Sequence, residues 1–348
     1  MFLVTNPAEQ MPLARATRIS EIRQLLKNLD AKPEHERRML RAWVRGLPLD
    51  RCRHDPEYYF PAKIRNSLND LTENFAKLGR IRSEHPSQDG SARLLVELQD
   101  RQTVETVVLP RQGVCVSTQV GCAVGCVFCM TGRSGLIRQL GSAEIVAQVV
   151  LARSKQLIRK VVFMGMGEPS HNLSNVLEAI ELLGTEGAVA HKQLVFSTVG
   201  DRRVFERLPQ GIVKPALALS LHTTRPELRA KLLPRAPQIE PAELVELAEE
   251  YAQATTYPIQ YQWTLIEGVN DGEDEIEGIV KLLSGKRAIL NLIPYNTVAD
   301  LNFKRPGWDR AAAMARTLHR RRILTKLRRS AGQDVEGGCG QLRARALN

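Results

Sequence analysis

From residue 143 to residue 328 the chain switches repeatedly between two hydropathy periods, and this limits its fold more than any single motif. Apolar runs at Val161-Val162-Phe163-Met164, 193–198, Ala216 to Leu221, 258–265, 288–293 and 323–328 read as strands. Between them, 143–156, 173–184, 241–254, 273–284 and 308–322 read as helices, with Ser142 placed to cap the first. Strands alternating with helices at this pitch pair in parallel. The pattern predicts an α/β chain folded as a partial (β/α)6 barrel. In parallel α/β sheets ligands gather at the carboxyl ends of strands, so functional residues are expected just after each apolar run.

Upstream the pattern differs. Ile19, Ile22, Leu25, Leu26 and Leu29 keep a helical period that Lys32-Pro33 breaks, and Met39, Leu40 and Trp43 carry a second apolar face. Residues 61–79 read as a further helix. Ser91 to Gln99 and Val104 to Leu109 then alternate as a β-hairpin around Asp100-Arg101-Gln102. Residues 1–100 are therefore expected to form a basic helical module with its hairpin, 101–330 the α/β core, and 331–348 a tail. Across 348 residues Lys and Arg number 49 against 38 acids, a formal charge of +11, which points to a polyanionic partner such as RNA. Arg37, Arg38, Arg41 and Arg45, and a second group from Arg320 to Arg329, are the expected phosphate contacts. Met1-Phe2-Leu3-Val4 is too short an apolar start for a signal peptide, and no run approaches the roughly 18 apolar residues of a membrane span. A cytoplasmic protein with no membrane association is expected, and in a reducing compartment six cysteines read as metal or redox chemistry.

Three of those cysteines, Cys122, Cys126 and Cys129, stand in one loop as Cys-x3-Cys-x2-Cys. Zinc favours four ligands in paired units, and no second pair lies nearby. Full ligation of a four-iron cluster takes four cysteines, so three leave one iron open to a small ligand. The spacing resembles the cluster loop of radical S-adenosylmethionine (SAM) enzymes, which implies a 4Fe–4S cluster and SAM as cofactors. In that setting Gly167 and Glu168, after the strand ending at Met164, fit a SAM-binding turn, although a Gly-x-Gly alone is usually just a tight turn. Ser197, Ser220-Leu221-His222 and Asn296 also follow strands and are candidate SAM contacts, each equally readable by itself as turn chemistry. Cys115 and the glycine-flanked Cys339 are thiols outside the triplet, while Cys52 stays unassigned.

The resemblance then narrows. Val104-Glu105-Thr106-Val107, Cys115 to Cys122, Met164 to Pro169, Ser220-Leu221-His222, Gly268-Val269-Asn270-Asp271, Asn291-Leu292-Ile293-Pro294 and Cys339-Gly340-Gln341-Leu342 together resemble the RlmN/Cfr family of radical SAM RNA-adenine methyltransferases. That resemblance implies methylation of carbon 2 or carbon 8 of an adenine in ribosomal or transfer RNA, with carbon 2 favoured. Both carbons are electron-poor and cannot attack an electrophilic methyl group directly. The resemblance implies that Cys339 is methylated first, that two SAM molecules are used per turnover, and that a carbon radical on Cys339 forms a protein–RNA adduct. It assigns the base to Glu105 and the resolving thiol to Cys115, leaving a Cys115–Cys339 disulfide. An electron donor such as flavodoxin or ferredoxin is implied, and a monomer is expected because one chain holds every role. The alternatives are a radical SAM enzyme acting on a different substrate, and an iron–sulfur protein that binds RNA or senses redox state without catalysis.

Overall fold

The computed structural model describes residues 16–50, 57, 59–298 and 301–345. Helices α1 (Ile19–Asn28), α2 (Pro33–Val44), α3 (Ala62–Asn66) and α4 (Leu68–Lys77) precede strands β1 (Arg80–Pro86), β2 (Ala92–Glu97), β3 (Thr103–Leu109) and β4 (Gly113–Cys115). Two short strands, β5 (Gln119–Gly121) and β6 (Leu136–Gln139), pair around the cysteine loop. The core follows as α5 (Ser142–Arg153), β7 (Lys160–Phe163), α6 (Leu173–Gly184), β8 (Leu194–Thr198), α7 (Arg202–Arg207), β9 (Ala216–Ser220) and α8 (Pro226–Leu232). It ends with α9 (Pro241–Thr255), β10 (Ile259–Leu265), α10 (Glu273–Leu283), β11 (Ala288–Pro294), α11 (Trp308–Arg320) and β12 (Thr325–Leu327).

Ten strands form one sheet in the order β1-β2-β3-β4-β7-β8-β9-β10-β11-β12. From β4 to β12 every pairing is parallel, as the strand–helix alternation requires. The antiparallel β1–β4 segment continues the same sheet, because β3 pairs with β4 and β4 runs parallel to β7. Alternate side chains separate two environments. Val161, Phe196, Leu217, Tyr261 and Leu292 join the main core under the helices. Val162, Val195, Gln262, Asn291 and Ile293 line an inner cavity instead. Leu109 from β3 and Arg328 just past β12 line that same cavity, so the sheet curls around it as a partial barrel.

Three local expectations change. The helix read over 61–79 breaks at Ser67 into α3 and α4. Ser142 is not the cap of α5, which is Gly141, whose N–H donates to Glu144 Oε2 at 2.8 Å. The Ser142 hydroxyl is committed elsewhere, accepting from the Ile19 N–H (2.8 Å) and donating to Glu178 Oε2 (2.5 Å), which ties α1 to α5 and α6. Strand β1 was not anticipated, because Arg80-Ile81-Arg82-Ser83-Glu84-His85-Pro86 has no apolar face; its charges and proline suit an edge strand. Cys52 lies outside the described residues.

Gln148 on α5 stitches the hairpin to the loop after β4. Its amide accepts from Thr106 Oγ1 (2.8 Å) and the Ser117 N–H (2.8 Å) and donates to the Ser117 carbonyl (2.9 Å), all in the buried interior. Gln148→Ala strands these partners, and thermal or denaturant unfolding should show a loss of about 2–4 kcal/mol.

Candidate functional site

The cysteine loop is wound tightly between β5 and β6. A Cβ on Gly132 would stand 2.7 Å from Gly125 Cα, so the two glycines allow the loop to cross itself. Burial pushes the Cys122 thiol up to about 12. Burial also holds Cys126 well above its ordinary value, reinforced by repulsion from Cys129 and Cys122. Among the described residues no three His, Cys, Asp or Glu side chains converge on a site for a single ion. The three sulfurs line a smaller cavity of about 110 Å³ together with Glu168, Ser197, Ser220 and His222.

These strand-end residues are brought together as the parallel topology predicts. Glu168 is buried; its Oε1 accepts from the Ser170 N–H (3.1 Å) and its Oε2 from the Val199 N–H (3.0 Å). Burial raises its carboxyl above the usual range, and these donors pull it back. His222 adopts φ +64°. Its Nδ1 accepts from the Thr264 N–H at 3.0 Å, which fixes the neutral tautomer with Nε2 as the donor. Asn270 locks the backbone there, donating to the His222 carbonyl (2.7 Å) and the Thr264 carbonyl (2.8 Å). Leu221 instead sits in the main core and holds Gln262 through its backbone (3.1 Å).

A larger cavity of about 520 Å³ adjoins the first, and Cys129, Met164, Gln262 and Cys339 line both. Cys115 opens onto the larger one, with Arg111, Lys160, Arg328 and Arg329 giving it a basic side. Cys339 is exposed to this space but enclosed by protein around it, and that enclosure pushes its thiol up to about 12. Burial drives Cys115 to about 12 as well, with Cys339 the next contributor, which places the two thiols in one electrostatic neighbourhood.

The tail holds Cys339 by backbone contacts. Asn296 Nδ2 donates to the Cys339 carbonyl (2.8 Å) and to Ser330 Oγ (2.8 Å), so Asn296 secures the tail, and its buried Oδ1 has no partner among the described residues. Gly340 O accepts from the Met130 N–H (2.8 Å), and Leu342 O accepts from Thr131 Oγ1 (2.7 Å). A Cβ on Gly338 would lie 2.6 Å from Gln341 Oε1 and 2.9 Å from Asn296 Nδ2, so any larger residue there would have to displace the two amides that hold the tail. Glu105 shares a face of β3 with the cavity-lining Val107, yet it is wholly buried. It is ion-paired with Arg93 and accepts from the Arg343 N–H at 2.7 Å. Burial raises its carboxyl; Arg93 and the tail N–H groups oppose that shift.

Residues 116–283 match the Radical SAM superfamily. A protein named probable RNA methyltransferase from Leptothrix cholodnii is 70% identical over 330 residues, covering 95% of each chain. Another of that name from Pseudomonas aeruginosa is 61% identical, covering 94% of this chain and 96% of its own. The crystal structure of a radical SAM methyltransferase from Sphaerobacter thermophilus matches with TM-score 0.82 and 32% identity, covering 94% of this chain and 98% of that one. The chain belongs to the radical SAM methyltransferases. This agrees with the RlmN/Cfr resemblance carried by its motifs.

Membership in this family implies a 4Fe–4S cluster and SAM. The methyltransferase's own residues fit both groups: three soft thiols on one tightly wound loop suit iron–sulfur ligation, and Glu168, Ser197, Ser220 and His222 offer polar atoms beside it. Arg229 was not legible in sequence, being a lone arginine on α8. It is buried and its Nη2 donates to the Val199 and Ser220 carbonyls, joining two strand ends behind the cavity. The expected N-terminal phosphate clamp is partly structural, since Arg41 pairs with Glu186 (2.7 Å) and Arg45 donates to the Glu186 carbonyl (2.8 Å). Among the described residues, no helix is long and apolar enough to cross a membrane.

Burial, followed by repulsion from Arg229, lowers His222 from 6.5 to about 3. Between those values the unfolded chain binds a proton that the folded enzyme refuses, so stability falls as pH drops from 6.5 toward about 3. In His222→Gln the slope of unfolding free energy against pH across that window should flatten, as read by denaturant titration at several pH values.

Proposed function

We propose that this enzyme methylates a ring carbon of adenine in RNA, carbon 2 before carbon 8, in ribosomal or transfer RNA. The observation that carries the reading is Cys339, docked on the wall between the cysteine-loop cavity and a basic cavity that also holds Cys115. Cys122, Cys126 and Cys129 would hold the cluster, and Glu168, Ser197, Ser220 and His222 would bind SAM. When bound, these groups supply a transferable methyl group and a hydrogen-abstracting radical, two SAM molecules serving each turnover, with electrons from a donor such as flavodoxin or ferredoxin.

The chain's own residues do the rest. Cys339 carries the methyl group as a thioether and, once a hydrogen atom is removed, presents a carbon radical to the adenine. Addition joins protein to RNA, and the adduct radical then passes one electron to an acceptor such as an oxidised flavodoxin or ferredoxin and loses the ring proton. Glu105 takes that proton in the family reading; here the tail covers it, so it acts only when residues 343–345 lift. The Cys115 thiolate then attacks the Cys339 sulfur. The breaking C–S bond leaves its electron pair on the methylene carbon, which takes a proton and becomes the new methyl group. The Cys115–Cys339 disulfide left behind is reduced by cellular thiols. Every role falls within one chain, which supports a monomer, and the charge of +11 supports RNA as substrate.

The test is anaerobic incubation of reconstituted enzyme with SAM, reductant and total ribosomal and transfer RNA, followed by mass spectrometry of nucleosides. The expected product is 2-methyladenosine, absent with Cys339→Ala; 8-methyladenosine would move the assignment to the other carbon. Cys115→Ala should accumulate a nuclease-trimmed, covalent protein–RNA species on denaturing gels. Release of 5′-deoxyadenosine without either nucleoside would reject RNA adenine as the substrate.

A further inference from the structure

The Asn291-Leu292-Ile293-Pro294 segment has no role in the chemistry above, yet its asparagine faces the larger cavity. In the parallel register of β10 and β11, Asn291 stands directly opposite Gln262, which lines the same cavity. Both are buried, at 2% and 8% exposure. Barrel interiors of this kind are usually filled by branched apolar side chains, so a paired row of amides around open space calls for a ligand.

Neighbouring bonds fix which way each amide points. Arg328 Nε donates to Asn291 Oδ1 at 2.8 Å, so the Asn291 Nδ2 is left as a donor. Gln262 Nε2 donates to the Gln260 carbonyl at 3.1 Å, so the Gln262 Oε1 is left as an acceptor. Neither remaining atom has a partner among the described residues. One donor and one acceptor, side by side on strands about 4.8 Å apart, match the edge of a base that offers an amino group beside a ring nitrogen.

We propose that Gln262 and Asn291 read the target base of the RNA, Gln262 accepting from the 6-amino group of adenine and Asn291 donating to the adjacent ring nitrogen. This deepens, and rests on, the reading of the enzyme as an RNA-adenine methyltransferase. Gln262 shares the wall with Cys339, so a base held by this pair lies beside the thiol that delivers carbon. Lys160 and Arg328 line the same cavity and meet the phosphate of an extruded nucleotide. Guanine presents a carbonyl and an N–H at the corresponding positions and sets like against like. Asn291 lines the larger cavity and not the one shared by the strand-end residues Glu168, Ser197 and His222, whereas Gln262 lines both and stands between the base and the SAM contacts.

The probe is adenosine 5′-monophosphate, titrated calorimetrically into the full-length, cluster-reconstituted enzyme with SAM saturating. Wild type should bind it on the order of tenfold more tightly than purine riboside 5′-monophosphate, which lacks the amino group, and more tightly than guanosine 5′-monophosphate. Gln262→Leu should bind the adenosine and purine riboside nucleotides equally, and Asn291→Asp should weaken adenosine monophosphate by about tenfold or more. Unchanged melting temperature, cluster absorbance and SAM affinity would exclude misfolding. Three results would overturn the proposal: no nucleotide binding when SAM is present, variants that keep the amino-group preference, or variants that lose SAM affinity instead. The methylation assay on total RNA is independent of these. Its failure alongside intact, variant-sensitive nucleotide selectivity would remove the reaction and leave the reading face; methylation with unaltered selectivity in the variants would do the reverse.

Discussion

The arrangement depends on the docking of the C-terminal tail across the open side of the sheet. Four contacts to main-chain atoms do most of this: Met130 N–H to Gly340 O, Thr131 to Leu342 O, Asn296 to Cys339 O, and the Arg343 N–H to Glu105. They come from three stretches of chain, the first two from the turn after the cysteine loop. The Cys339 thiol is therefore positioned by the chain that directly follows Cys122, Cys126 and Cys129. These contacts read the tail's backbone, and Gly338 fits closely against the Gln341 and Asn296 amides.

Beneath the tail lies the costliest electrostatic feature described. Glu105 and Arg93 are both sealed from solvent, and Arg93 Nε and Nη2 have no partner among the described residues. Two buried charges are tolerated when they are paired and their remaining polar atoms are bonded. Here the Arg343 N–H and the Arg345 carbonyl, at 3.0 Å from Arg93 Nη1, complete part of that requirement. Tail docking and the ion pair thus stabilise each other. Lifting the tail would leave the pair hydrated and the carboxylate free to accept a proton.

The two faces of the sheet divide the labour. The outer face is apolar and closed by helices, and it supplies the rigidity that holds strand ends in register. The inner face carries thiols, amides and cations around cavities of about 110 and 520 Å³. Because strand side chains alternate, one residue of register shift would exchange these faces, so the seven-residue pairing of β10 with β11 protects the site as well as the fold.

Much of the fold was legible because period-two and helical patterns are local. The six parallel strands after the cysteine loop follow from that alternation, and so does the collection of Glu168, Ser197, Ser220 and His222 at strand ends. The cysteine triplet drew attention through its spacing, while the roles proposed for Cys115 and Cys339 rest on the family resemblance. Strand β1 and the diversion of Ser142 from capping were not legible, since each is decided by neighbours distant in sequence, and the local break at Ser67 carried no proline or glycine to mark it. The same holds for the site's finer parts. Only tertiary structure brings Cys339 to Cys115, turns Asn296 onto the tail, covers Glu105, and sets Gln262 beside Asn291. Sequence specified which groups the chain owns and the strands that bear them; distances between those groups are long-range quantities, fixed by sheet register and the path of the tail.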